Sequence, residues 1–420
     1  MRKSWPWLAG ALALIVVAVG VQFQWPSHER LPPAATASAD MMSAFLERHW
    51  PDPLPPQGDP PAGFSALEAS LGPDACGQCH ARQYADWKSS LHSKTIGPGI
   101  LWQFHVMSQQ GVNGCLRCHA PLAEQKALIA IEYRAKQAPT APSPAYVPAD
   151  LHRQGLVCAA CHVRRHMRVG PPRREAAELA PGVVASHGGF TADPGFGDSR
   201  FCAVCHQFRA DGAQLNGKLL ENTYEEWRAS AAAKAGQSCQ SCHMPDRRHL
   251  WRGIHDADMV RKSLNVTLEI RPGDGGKLRV QAEMTNVGAG HHLPTYLIPE
   301  IVATLALVDP GGNFRTELGR RVIGRKANLE LTQEIADTRL AAGERLSFGG
   351  QFPSPLESGW SVELRVVVHP GKHYEALFRD VLERRQPLPE DAAGLLRQAL
   401  AQLESSSYEA YRLRKALPPR

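Results

Sequence analysis

The chain has 420 residues, of which 43% are hydrophobic and 21% charged. This is ordinary globular usage and excludes disordered, collagen-like and polytopic membrane classes. The formal net charge is only +6 and no long basic block occurs, so the sequence predicts no nucleic-acid partner. The unusual feature is the presence of 10 cysteines together with 18 histidines.

Residues 1–25 are predicted to be a single N-terminal transmembrane anchor. An apolar run from Trp7 to Val21 follows Arg2 and Lys3, and at about 1.5 Å per residue the segment is long enough to cross a bilayer. The positive-inside rule then places the rest of the chain on the periplasmic side of a bacterial inner membrane. A cleaved signal peptide is the alternative, and it exports the chain equally well.

Residues 26–70 are rich in proline and are predicted to form an extended, semi-rigid tether. Within this segment, residues 38–50 are predicted to form one short helix. His28 and His49 fall inside the tether, and for that reason they are left out of the candidate ligands considered below.

Residues 71–260 hold every cysteine of the chain, in five copies of Cys-x-x-Cys-His. The copies carry the thiols of Cys76, Cys79, Cys115, Cys118, Cys158, Cys161, Cys202, Cys205, Cys239 and Cys242, and they end in His80, His119, His162, His206 and His243. This is the attachment signature of c-type haem: both thiols add to one porphyrin, and the histidine binds its iron. A zinc ribbon would pair such knuckles two by two, and disulfides would need cysteines that the motifs do not leave over. Five covalently bound haem c groups are therefore predicted.

The motifs follow one another at near-regular intervals, which is typical of haem-binding units packed in series. We expect a mainly α-helical region with little regular structure beyond short helices. Because few residues serve each haem, the porphyrins themselves are expected to supply much of the buried apolar surface.

Each iron needs a second axial ligand, and the surplus histidines are the candidates. The preferred candidates are His92, His249 and His255, and the haems are expected to be mainly bis-histidine and of low potential. His166 lies four residues beyond His162 on the same helical face, so it cannot reach the far side of that haem. The basic pairs Arg164-Arg165 and Arg247-Arg248 are predicted to bind haem propionates, with a solvated face as the alternative.

An internal repeat surrounds these motifs. Tyr84-x-x-Trp87-x-x-Ser90 matches Tyr224-x-x-Trp227-x-x-Ser230, a spacing that places the three side chains along one side of a helix. The repeat is interpreted as an aromatic packing stripe. His92 follows the first copy, whereas Ala232 occupies the equivalent position in the second.

Residues 261–380 change to a period of two, which predicts an all-β, immunoglobulin-like sandwich. The alternating runs include Val266–Ile270, Leu278–Met284 and Val362–Val368, and Ile301–Val308 is a more continuous apolar strand. Residues 381–420 are predicted to be a helical tail with Leu396, Leu400 and Leu403 on the face that docks.

The loop Gly288-Ala289-Gly290-His291-His292-Leu293-Pro294-Thr295 allows two interpretations. It is either a tight inter-strand loop or a segment that presents His291 to a haem iron across the domain boundary.

With these residues in view, residues 70 to about 300 resemble the multihaem cytochromes of the cytochrome c-554 and hydroxylamine-oxidoreductase type. The resemblance rests on the first motif with Tyr84, Trp87, Ser90 and His92, on Tyr224-Glu225-Glu226-Trp227 ahead of the fifth motif, and on Met244-Pro245 after it. The Gly290-His291-x-Leu293-Pro294-Thr295 loop resembles one of related periplasmic multihaem cytochromes with a C-terminal β domain. The resemblance implies stacked haem pairs, bis-histidine ligation and electron carriage. The chain departs from that pattern in having five motifs rather than four or eight, in Ala232, and in lacking a Cys-x-x-Cys-Lys variant.

Three functions compete. The first is an electron carrier between quinol-side donors and periplasmic or outer-membrane acceptors, with redox proteins as partners. The second is an oxidoreductase that acts on a small nitrogen or sulfur compound at a haem with an open distal site. The third is a binding module in which the sandwich docks a partner and the haems are secondary. The sequence does not decide the oligomeric state.

Overall fold

The computed structural model describes residues 39–136, 138–173, 186–353, 358–384 and 388–418. The predicted anchor and the beginning of the tether lie outside these ranges. Within them, no helix is both long enough and apolar enough to cross a membrane.

The predicted tether is wrong for residues 39–70, which pack against the region that carries the cysteine motifs. Helix α1, Ala39–His49, buries Met42 and Phe45, which are 0% and 4% exposed. The following proline-rich stretch buries Leu54, and the backbone of Gln57 donates a hydrogen bond to Glu124. The apolar side chains between the prolines find partners on the body of the protein, so composition alone does not make this segment an extended spacer.

The motif region, residues 71–260, is a series of short helices joined by loops. Helix α2, Ala66–Ala69, precedes this region. The helices within it or at its end are α3 Pro73–Gly77, α4 Ala81–Ser89, α5 Pro98–Phe104, α6 Gln109–His119, α7 Ala123–Glu132, α8 Cys158–His162, α9 Arg200–His206, α10 Thr223–Arg228, α11 Ala231–Lys234, α12 Cys239–His243 and α13 Ala257–Ser263. Short strands accompany them: β1 Val163–Arg164, β2 Met167–Gly170, β3 Thr191–Ala192, β4 Gln214–Leu215 and β5 Lys218–Leu219. The buried apolar side chains form separate small clusters, one around Leu71, Trp87 and Leu122 and another around Leu101, Val112 and Leu116.

The predicted strands form a sandwich of two antiparallel sheets. The strands are β6 Leu264–Pro272, β7 Lys277–Asn286, β8 Glu300–Val308, β9 Phe314–Ala327, β10 Glu334–Asp337, β11 Arg345–Pro353, β12 Ser361–His369 and β13 Tyr408–Ala416. One sheet has the order β11-β7-β6 and the other β10-β9-β8-β12-β13. Alternate residues of both sheets, among them Ala282, Met284, Leu305 and Leu364, meet in one core at 0% exposure. The order of the larger sheet corresponds to the GFCC′C″ sheet of immunoglobulin variable domains.

The predicted helical tail is partly wrong, because the C-terminal segment is built into the sandwich. Helices α14, Lys372–Glu383, and α15, Glu390–Glu404, connect β12 to β13, and β13 then pairs with β12 as an edge strand. Leu396 is fully buried, as the helical pattern predicts. It packs with Phe378 against Trp102 of α5, so the helical pair attaches the sandwich to the motif region.

A buried ion pair forms a second attachment. Arg325 on β9 and Glu334 on β10 have side chains only 1% and 6% exposed, with their charged atoms 2.8 Å apart. The Arg325 guanidinium also donates to the backbone carbonyls of Leu215, Lys218 and Leu219 on the β4–β5 hairpin. One arginine therefore neutralises a buried carboxylate and satisfies three carbonyls of the motif region.

The substitution Arg325→Met is expected to lower the free energy of unfolding by about 3–5 kcal/mol, because it leaves Glu334 buried with its charge only partly compensated. Urea denaturation followed by circular dichroism measures this loss. Arg384→Met is the matched control, since Arg384 pairs with Asp380 at the surface with its side chain 53% exposed, and it should cost less than about 1 kcal/mol. Equal losses of unfolding free energy in the two variants would show that the attachment of the sandwich to the motif region does not depend on the Arg325–Glu334 pair.

Candidate functional site

Each motif occupies a single helical turn. The second, third, fourth and fifth motifs end the helices α6, α8, α9 and α12, and the first begins within α3. The i, i+3 spacing of the two cysteines places both thiols on the same side of the turn, and the histidine follows directly. None of the ten cysteines forms a disulfide. Each turn therefore presents two thiols and an imidazole together, as attachment of one porphyrin requires.

Thiols of different motifs lie next to one another. The thiol of Cys158 lowers the pKa of Cys76, that of Cys205 lowers the pKa of Cys118, and that of Cys202 lowers the pKa of Cys239, so the members of each pair are close neighbours. Cys161 also acts electrostatically on Cys202 and Cys205. The third motif thus lies beside the first and the fourth, and the fourth also lies beside the second and the fifth.

Three motif histidines face the ring of a histidine from another part of the chain. The ring centres are 6.4 Å apart for His92 and His206, 6.2 Å for His162 and His249, and 6.3 Å for His243 and His291. A metal–imidazole bond is about 2 Å long and the ring nitrogen lies about 1 Å from the ring centre, so imidazoles on opposite sides of one metal ion have centres about 6 Å apart. The three pairs fit this requirement.

The hydrogen bonds of these rings suit axial ligands. In several of them Nδ1 lies within hydrogen-bond distance of a backbone carbonyl, which fixes the ring and leaves Nε2 free to bind a metal. These contacts join His119 to Thr95, His162 to Val169, His243 to Arg252, His249 to Arg247 and His291 to His292, at 2.7–3.0 Å.

The protonation states also suit metal binding. Burial lowers the pKa of His92 to about 3, and burial lowers the pKa of His162 and of His243 to about 4. These imidazoles are therefore neutral near pH 7, as metal ligands must be. Among the described residues no group of three or more His, Cys, Asp or Glu side chains could hold a metal ion. The histidines thus meet in pairs rather than in the larger ligand sets of zinc sites.

The structure brings together some of the predicted ligands and leaves others apart. His92, His249 and His291 each face a motif histidine, whereas in the described part of the chain no ring contact joins His255, His80 or His119 to another histidine. Burial lowers the pKa of His255, but no contact assigns it to a motif. His166 is 1% exposed and bonds to the carbonyl of Gly58, which makes it a structural side chain.

Two assignments made from the sequence need correction. His49, set aside as part of a tether, is 4% exposed and its Nε2 lies 2.8 Å from the carbonyl of Cys161. Two of the arginines predicted to bind propionates are engaged elsewhere: Arg164 donates to the carbonyl of His49, and Arg248 binds Asp86. In both cases the partner lies far away in the sequence, so no local pattern could reveal it.

One phenol of the C-terminal part of the chain lies near the second motif. Partial burial raises the pKa of Tyr374 on α14, and the nearby Cys115 raises it further. Burial also raises the pKa of Tyr296, which interacts electrostatically with Tyr374. Neither hydroxyl has a hydrogen-bond partner within the described ranges. Tyr374 thus places a protonated phenol near Cys115 with its donor available.

Comparison with solved structures finds a similar fold. The fold is similar to that of a penta-haem cytochrome c552 from Thermochromatium tepidum, with a TM-score of 0.58 and 19% sequence identity over 83% of this chain and 100% of that one. The chain matches no protein-family model and no curated protein sequence. At this identity the likeness establishes the fold, and the chemistry must be argued from the residues.

Proposed function

We propose that the chain is a multihaem c-type cytochrome that binds five haem c groups and carries electrons. The observation that carries this proposal is the set of three facing histidine pairs, each of which includes the histidine of a Cys-x-x-Cys-His motif. The similar fold of a penta-haem cytochrome supports it. When bound, haem iron with two imidazole ligands supplies low-potential one-electron chemistry.

The protein's own residues hold the groups as follows. The two cysteines of each motif attach one porphyrin, and His80, His119, His162, His206 and His243 are the proximal ligands. His249 is the second ligand opposite His162, His92 opposite His206, and His291 opposite His243. The thiol contacts between motifs place the attachment sites side by side, which gives electrons a continuous route from the first motif through the third to the fourth.

The exported location and the partners extend this proposal. An N-terminal segment that anchors the chain would keep the five attachment sites close to quinol-oxidising partners of the membrane, and soluble periplasmic or outer-membrane redox proteins would then receive the electrons. The sandwich is more than a docking module, because it supplies His291 and buries Arg325 against the motif region.

The haem-loaded chain is expected to exceed the mass of its amino acids by five haems, and the pyridine haemochrome spectrum should give the same number. Replacing both Cys239 and Cys242 with serine should remove one haem, because the thioether bonds of the fifth motif can no longer form. Ser241→Ala, which lies between these thiols, is the control and should retain all five. A purified chain with only its amino-acid mass, from cells that make c-type cytochromes, would refute the proposal.

The three second ligands are tested by His92→Ala, His249→Ala and His291→Ala. Each substitution should convert one low-spin haem to a high-spin or exogenously ligated form, because the iron loses an imidazole. Electron paramagnetic resonance of the ferric protein measures the change. His166→Ala is the control, since that ring bonds to a backbone carbonyl, and it should leave every spin state unaltered. If a ligand variant keeps the wild-type spectrum, its assignment is wrong.

A second candidate function is reduction or oxidation of a small nitrogen or sulfur compound at the haem of the second motif. Two observations favour it: no ring contact joins another described histidine to His119, and Tyr374, whose hydroxyl is unpaired, lies near Cys115. Phenol donors beside an open iron position would hydrogen-bond to an oxygen of such a ligand and stabilise the charge that develops there.

This function predicts that the wild-type protein binds nitrite or cyanide at one haem, and that Tyr374→Phe weakens nitrite binding by about tenfold through loss of one hydrogen bond. Optical titration measures both affinities. Tyr408→Phe is the control, because its hydroxyl bonds to the carbonyl of Ile254 within the sandwich. If all five haems are low-spin and bind neither anion, electron carriage alone accounts for the protein.

A further inference from the structure

The internal repeat contains an acidic residue directly before its tryptophan. In the first copy this residue is Asp86, on α4, and in the second it is Glu226, on α10. Both side chains are buried, at 5% and 3% exposure, although each bears a carboxylate. Burying an ionised carboxylate is costly unless it is paired and hydrogen-bonded. The two positions therefore need a structural reason beyond aromatic packing.

In the first copy, Asp86 holds the loop that carries His249. Arg248 donates two hydrogen bonds of 2.6 Å to the two oxygens of Asp86, and the backbone N–H of His249 donates a third at 3.1 Å. The same loop contains Asp246 and Arg247 in the left-handed region, with φ of 53° and 55°. Such a backbone is strained for residues other than glycine and persists only where its surroundings fix it. Asp86 supplies that fixation next to the ring that faces His162.

In the second copy, Glu226 holds the loop that carries His291. Arg339 donates to one carboxylate oxygen of Glu226 at 2.9 Å. The other oxygen accepts from the hydroxyl of Thr295 at 2.8 Å and from the backbone N–H of His292 at 3.2 Å. The arrangement repeats that of the first copy: an arginine and a backbone N–H of the histidine loop bind one buried carboxylate. The ring beside this N–H is the one that faces His243.

The two copies differ in that Ala232 of the second stands where the first has His92. This difference fits the same arrangement. A Cβ added at Gly290 would lie 2.9 Å from the Cβ of Ala232 and 3.3 Å from the Trp227 ring. The loop before His291 thus packs against Ala232, the residue of the second copy that corresponds in sequence to His92 of the first. A small residue at position 232 and a glycine at position 290 allow this approach.

We propose that Asp86 and Glu226 are positioning residues, and that each holds in place a loop whose histidine is the second axial ligand of a haem. The inference rests on the proposed function, because it assigns a purpose to the repeat only if His249 and His291 bind iron. The repeat is then one ligand-positioning unit used twice: α4, after the first motif, serves the third motif, and α10 serves the fifth. Neither Asp86 nor Glu226 forms a hydrogen bond with the ring nitrogens of His249 or His291. The two carboxylates therefore act only through the loops that they hold.

The test compares Asp86→Asn and Glu226→Gln, which keep the shape and remove the charge, in the haem-loaded full chain. Each variant should gain one haem per chain that is high-spin when ferric or binds carbon monoxide when ferrous, and the double variant should gain two. Asp86→Glu and Glu226→Asp, which restore the charge, should recover most of the low-spin signal. Glu225→Gln removes an exposed carboxylate from the same helix as Glu226, and it should match the wild type.

If a neutral variant fails to assemble, Thr295→Val provides a milder test, because it removes only the hydroxyl that bonds to Glu226. The rate of carbon monoxide binding at the fifth-motif haem, which dissociation of His291 limits, should then rise by about tenfold. An unchanged spin state in both neutral variants, or an unchanged rate in Thr295→Val, would overturn the inference.

The variant His291→Ala distinguishes the claim that His291 is a ligand from the claim that Glu226 positions it. If it produces a high-spin haem while Glu226→Gln does not, the histidine is a ligand and Glu226 does not position it. If His291→Ala leaves the spectrum unchanged, the proposed ligand itself is wrong.

Discussion

The facing imidazoles are the constraint on which the rest of the architecture depends. Each of the three pairs joins a motif histidine to a residue far away in the chain, at a separation that fits one metal ion between them. The motif helices have only 5 to 11 residues and are too short to be stable alone. Under the proposed function, attachment to porphyrin and ligation across it are what hold these short turns in one arrangement.

The same constraint explains why the sandwich cannot be separated in function from the motif region. It contributes His291, which faces His243, and the helix α14 that it contains places Tyr374 near Cys115 of the second motif. A loop between strands can aim a ligand accurately only when both of its ends are fixed. The strands fix the ends, and the buried Glu226 fixes the middle. Rigid attachment of the sandwich and the pairing of His291 with His243 are therefore parts of one arrangement.

Much of the fold could be predicted from sequence periodicity, and the failures share a cause. Alternation located β6, β7, β8 and β12 because one face of each is buried in the sandwich. Proline content suggested a spacer where Met42, Phe45 and Leu54 are buried, since composition does not show whether apolar side chains find a partner. The leucine pattern of α15 predicted its docked face, but the pairing of β13 with β12 depends on residues about fifty positions away.

The sequence by itself determined the attachment sites. Cysteines at i and i+3 with a histidine directly after them define a unit whose geometry lies within one helical turn, so no tertiary contact is needed to recognise it. Only the tertiary structure decided which histidine faces which motif and why Asp86 and Glu226 are acidic. The histidine that faces a motif histidine must approach from the opposite side, where the motif's own turn cannot reach. Its identity is therefore fixed by long-range packing, which leaves no regular spacing in the chain.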